Sequence, residues 1–337
     1  MDAVAQQAPK ISRKRRRVTA LMGIAVMLAV VHPSPVCSAD NSQISTNNLS
    51  SKLKWAPQKQ LKPNIEYIGV GPYSSPTFSQ DQDVIIRLPK YVRDVGADII
   101  INGGRHVKII GGHTRGRIYW RNGFGSLFIE GVLIDVSAAS SRDAIVVSGA
   151  PGHSPDVYLQ KIFVTGVQGS FLGVHADIFQ AWGPIGALRV DQFTGDSNYQ
   201  GFFIRPEFSI RRAEFSRVNL KFNKLGSPVG NSYLMWFRNM SGEYSPGDPF
   251  YPVTFSDDVY VSANARSPRQ AAAFPPPGTM LPGPLGRFFT GKVTQGGSMT
   301  WPSWTGVEGR VRMGAPKDGD FVQRAQVGLG YKSPGYE

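Results

Sequence analysis

Four short runs of this chain alternate apolar and polar positions in the same way: residues 143–148, 175–180, 200–205 and 233–238. Their second and fourth residues are Ala144 and Val146, Ala176 and Ile178, Gly201 and Phe203, and Leu234 and Trp236, all small or apolar. A strand with one buried face has this period of two. The pattern predicts four strands, with Asp143, His175, Gln200 and Tyr233 as an outward column. A second column would then hold Ile145, Asp177, Phe202 and Met235, and a third Ser148, Gln180, Arg205 and Arg238.

A different segment follows the first three runs at similar distances, at Val157–Gly166, Ala187–Gly195 and Ala213–Leu220. Val107–Gly112 and Ser126–Asp135 look like earlier copies of it. Copies about 20 to 30 residues apart signal a stacked repeat. Runs this short, rich in Val, Ile and Phe and separated by Gly and Asn, read as strands rather than helices. The expectation is an all-β solenoid in which each strand lies over its counterpart in the next coil.

The repeat resembles the right-handed parallel β-helix of the pectin-lyase-like superfamily, over about residues 81–260. That resemblance implies the solenoid fold and a role on carbohydrate, without fixing a chemistry. Polygalacturonase-like members would be expected to carry Asn-Thr-Asp, paired Asp, Gly-His-Gly and Arg-Ile-Lys motifs. The nearest fragments here are Gly152-His153-Ser154 and Asp257-Asp258, which argues against a standard pectin hydrolase.

Outside the repeat the chain changes character. Lys10 and the run Arg13 to Arg17 precede an apolar stretch from Val18 to Val31, followed by Pro33 to Ala39. A basic start, an apolar run and a small-residue site predict a signal peptide over residues 1–39 and a secreted or periplasmic protein. The competing reading is a membrane anchor, but 14 residues fall short of the roughly 20 that a bilayer span needs. Cleavage after Ala39 would remove Cys37, the only cysteine, and leave stacking and core burial to hold the fold. Residues 40–80 then read as an extended lead-in or cap. Residues 261–337 read as a Pro- and Gly-rich loop followed by strands or a cap.

With 38 Gly, 25 Pro and 41% hydrophobic residues in 337, the composition suits one loop-rich β-domain. The chain carries a net +13, and removal of residues 1–39 leaves 31 basic and 23 acidic residues, a net +8. A positive exported solenoid suits an anionic polysaccharide of the envelope or surroundings. Nucleic acid is not expected as a partner, since no recognition helix or ribonucleoprotein motif is visible.

The candidate chemistry follows from the columns. His175 and Asp177 stand two apart on one predicted strand, with Asp143 one coil away. A histidine flanked by carboxylates can act as a general acid or base. Arg205 and Arg238 would pair with a sugar carboxylate or sulfate. Gln180, Gln200, Tyr233 and Trp182 complete a glycan-binding set. Hydrolysis would need two carboxylates across the bond. β-Elimination would need a base and a neutralised uronate. A calcium ion between Asp143 and Asp177 is conceivable, although the ligands are few. The rival reading is a β-helix that binds or organises polysaccharide without turning it over, its polar columns being structural ladders.

Overall fold

The computed structural model describes residues 52–59, 65–68, 76–88, 94, 96–139, 142–204, 210–223, 225, 232–237, 251–262, 273–274, 279–283, 286–290, 297–302 and 304–337. All of them belong to a single compact unit, Leu49–Glu337. The predicted signal peptide, Arg205 and Arg238 lie outside the described residues.

The protein is all-β with two long parallel sheets. The second sheet stacks Thr77–Phe78, Ile99–Gly103, Ile118–Gly123, Ile145–Gly149, Asp177–Ala181, Gln200–Phe203, Met235–Trp236 and Ala273–Phe274. The first, fourteen-stranded sheet takes the strand that follows each of these but the last in sequence, such as His106–Ile110, Ser126–Glu130, Asp156–Val167, Ile185–Ser197 and Ile210–Phe222. The chain therefore crosses from one sheet to the other and back, adding one parallel rung to each at every pass. It ends with Val307–Gly309 beside Val253–Phe255, and Val311–Met313 beside Val259–Val261.

Register explains the core. Ile99, Ile118, Ile145, Phe179, Phe202 and Met235 are direct partners on successive rungs and are all buried. The first sheet faces them with Leu127, Val157, Leu188, Ala213 and Val253. Phe202 meets rings from both sheets, with Phe193 at 5.2 Å, Phe215 at 5.1 Å and Phe179 at 5.7 Å. Equivalent side chains about 4.8 Å apart thus form a continuous aromatic and aliphatic spine.

This register corrects the column alignment. Ile145 partners Phe179, not Asp177, so Asp143 stands in line with Asp177, Gln200 and Tyr233. His175 precedes the strand altogether. The cause is that Ala144, Val146, Ala176 and Ile178 are as fully buried as Ile145 and Phe179, which hides the period of two. Phe203 and Trp236, aligned in the sequence with buried positions, are half-buried on the outer face instead.

One bend in the first sheet repeats on six rungs. Gly111, Gly131, Lys161, Gln192, Arg217 and Asp257 occupy equivalent places and all have left-handed backbones, with φ between +49° and +68°. Four of them are side-chain-bearing residues in a region that costs about 1 kcal/mol or more each. Just before the bend stand Glu130, Gln160, Asp191 and Ser216, a polar ladder with almost no exposure. Each is satisfied locally. Arg217 bonds Asp191, the Ser216 hydroxyl donates to Asp257 at 2.8 Å, and Gln160 pairs with the backbone of Trp55 at 3.0 and 2.8 Å. Glu130 accepts from Tyr331 at 2.7 Å and Tyr336 at 2.5 Å.

Segments around Leu53–Trp55 and Asp320–Tyr336 provide the partners of Gln160 and Glu130 by lying on the outer side of the first sheet. Leu53 bridges Tyr336, Val322 N–H donates to Thr194, and Asp320 holds Asn219 and Lys221. Val322 and Val327 pack on Leu133 and Phe163.

Candidate functional site

With the first sheet covered by these segments, the outer side of the second sheet is where unspent aromatic surface collects. Tyr119, Val146, Gln180, Phe203 and Trp236 form its central column, each the direct partner of the next; Val146 is fully buried within it and the other four are half-buried. Alternation puts them on the side opposite Trp120, Ile145, Phe179, Phe202 and Met235. At about 4.8 Å per rung the column runs for roughly 19 Å. At one end the Trp236 ring meets Phe203 at 5.0 Å and Tyr233 at 5.3 Å, both edge-on. At the other, Tyr119 meets Trp182 edge-on at 5.4 Å, and Trp182 is 47% exposed.

Charge joins this second cluster. The Arg117 guanidinium lies over both rings, 5.5 Å from the Tyr119 centroid and 5.9 Å from that of Trp182. Its Nε is 2.8 Å from Asp98, which Arg142 also contacts at 2.6 Å. Two guanidiniums thus share the Asp98 carboxylate beside an exposed indole. A row of amides and hydroxyls continues the surface, with Asn122 donating to Asn102 at 2.7 Å and Asn102 to Thr77 at 3.2 Å.

The residues singled out from the sequence divide into two groups. Gln180, Trp182 and Tyr233 belong to the aromatic face. Asp143, Asp177 and Gln200 lie at the corner where the chain enters the second sheet, on successive rungs with Tyr233, and all are buried. The Asp143 Oδ1 accepts the Asp177 backbone N–H at 2.9 Å. Burial pushes the Asp143 carboxyl up to about 6, outweighing that hydrogen bond and the nearby Arg117. Such a group can hold and release a proton near neutrality.

His175 stands apart from these carboxylates. It is exposed at the end of the loop 168–175, where its Nε2 meets the Phe171 carbonyl at 2.9 Å. A carbonyl only accepts, so Nε2 donates and Nδ1 is left for another partner. The His175 ring stacks on Phe171 at 5.9 Å and tilts against Tyr199 at 5.7 Å. Tyr199 is buried, and burial together with the charge of Asp177 pushes its hydroxyl up to about 12. The expected His175 and Asp177 pairing on one strand face is therefore replaced by a corner in which Tyr199 neighbours both.

Sequence reasoning missed Asp98, Arg117, Tyr119 and Arg142. The signal was the alternation of Arg117, Tyr119 and Arg121 with Ile118 and Trp120, one rung before the aligned runs began. Among the described residues no group of three or more His, Cys, Asp or Glu is arranged to hold a metal. No described helix is long and apolar enough to cross a membrane. No family model, no curated protein and no solved structure matches this chain.

Proposed function

We propose that the chain is an exported right-handed parallel β-helix that acts on an anionic polysaccharide, bound along the outer face of the second sheet. The observation that carries this reading is the column Tyr119, Gln180, Phe203 and Trp236, extended by Trp182 with Arg117 over its ring. Sugar rings rest on aromatic faces, as amphipathic groups with one apolar side do. A guanidinium fork suits the carboxylate or sulfate of an acidic glycan. The basic balance of the chain would draw such a polymer in.

Turnover by lyase or glycoside hydrolase chemistry is a further step, favoured by Asp143, whose carboxyl is held near 6 at the edge of this face. A non-catalytic role in binding or organising the polymer needs only the face itself.

The test is a titration of the purified mature chain with uronate-containing, sulfated and neutral polysaccharides, following binding, reducing ends and unsaturated products. Binding of the acidic polymers that is lost in Trp182→Ala supports the face. Unsaturated product identifies a lyase, new reducing ends alone a hydrolase, and binding with neither a non-catalytic role. No binding across the panel overturns the proposal.

A further inference from the structure

The pair Asp257-Asp258, left unused by the aromatic face, lies in the turn after the strand Val253–Phe255. The next rung sets Arg310 and Arg312 against it. These four residues, with Thr300 and Phe255, line an open depression of about 430 Å³. That volume falls in the range of small-molecule sites.

The local backbone explains how the charges converge. Asp257 takes the left-handed bend at φ +53°, which turns the chain and displays both carboxylates at the corner. Val311 is fully buried, so Arg310 and Arg312 on either side of it share the outer face. Most of these groups are already balanced. Asp257 accepts from the Ser216 hydroxyl at 2.8 Å and lies 3.8 Å from Lys54. Arg312 is 3.2 Å from Asp258 and lies over the Tyr260 ring at 5.6 Å. Arg310 is exposed and makes no ion pair among the described residues.

This arrangement sorts ligands by chemistry. Carboxylates accept only, so the oxygens of Asp257 and Asp258 that remain open call for donors, and hydroxyls supply them without adding charge. Arg310 offers a planar fork to one anionic group. Two aspartates against two arginines leave no large net charge, so a group with a single charge and several hydroxyls suits the depression better than a multiply charged group. We infer that the depression is a second carbohydrate subsite, taking a polyhydroxylated monoanion such as a hexuronic acid residue, its carboxylate on Arg310 and its hydroxyls on Asp257 and Asp258.

The inference stands independently of the aromatic face, and the experiment keeps the two apart. Glucuronate, glucose and acetate are titrated separately into the full mature chain and followed by saturation-transfer NMR. Saturable binding of glucuronate is expected, with no saturable binding of glucose or acetate, because each lacks half of the complementary groups. Arg310→Ala is expected to weaken glucuronate about tenfold or more, while Trp182→Ala leaves it unchanged. Absence of glucuronate binding, equal affinity in Arg310→Ala, equal binding of acetate, or loss in Trp182→Ala would each overturn the assignment. Arg310 is exposed and has no ion-pair partner among the described residues, so its replacement does not disturb the fold; Arg310→Lys, which keeps the charge without the fork, is expected to fall between.

Discussion

The Asp143 carboxylate accepts the backbone N–H of Asp177, one rung above it, at 2.9 Å, and is nonetheless held in a site that opposes its ionisation. Burial raises its pKa from 3.8 to about 6. The stability contributed by this raised group is fully present below about pH 4 and is lost as pH rises through 6.

Replacing Asp143 by Asn keeps an acceptor for Asp177 and removes the charge. The Asp143→Asn variant is thus expected to be more stable than the parent at pH 7, by about 1–3 kcal/mol, and equal to it at pH 4. Urea unfolding at the two pH values measures this. An unchanged difference between the two pH values would show that Asp143 ionises freely in the folded protein.

Trp182 is 47% exposed, with Tyr119 edge-on to its ring and Arg117 over it. Trp182→Ala should leave the melting temperature within a few degrees of the parent while weakening acidic polysaccharide by one to three orders of magnitude, as loss of a stacked aromatic anchor does. Rising salt should weaken the parent more than an Arg117→Gln variant. Parallel melting curves and affinities at two ionic strengths decide it.

Asp191 is fully buried and bonded by both arms of Arg217. Removal of one member of such a pair strands the other charge without water. Arg217→Ala is expected to cost about 3–5 kcal/mol. The double variant Arg217→Ala with Asp191→Ala should recover part of that loss, read as a non-additive cycle in chemical denaturation. Additive losses would mean that the two charges do not depend on each other.

Lys161 and Gln192 sit in the left-handed bend at φ +53° and +49°. Glycine meets no steric penalty there, as Gly111 and Gly131 demonstrate at the same place on earlier rungs. Gln192→Gly should therefore be neutral or stabilising by up to about 1 kcal/mol, whereas glycine in the middle of a strand destabilises. Thermal unfolding of Gln192→Gly beside Val190→Gly would separate the two cases.

The recurrence of short strands was legible because Val, Ile and Phe return at nearly constant distance, and the stacked parallel sheets follow from it. The register was not. Fixing it requires knowing that Ile145 and Phe179 point inward, yet Ala144 and Ile178 are equally buried, so composition gave two phases with the same appearance. The Gly-containing loop before His175 then shifted that histidine out of the strand. Gln180, Trp182 and Tyr233 were legible as polar or aromatic residues beside apolar ones. Arg117 and Asp98 were not, because their pairing joins neighbouring rungs 19 residues apart in sequence. The covering of the first sheet by Tyr331 and Tyr336 rests on contacts 201 and 206 residues away, beyond any local pattern.

The bridge between Leu53 and Tyr336 also has a mechanical meaning. The two segments run parallel, with Leu53 N–H bonded to Gly335 and Glu337 N–H to Leu53. Tension applied to opposite ends of a parallel pair loads these bonds in shear, together rather than one by one, and Gln160 with Trp55 and Glu130 with Tyr336 share the load. The two segments act as a clasp, and tension applied across Leu53 and Tyr336 would meet its bonds first.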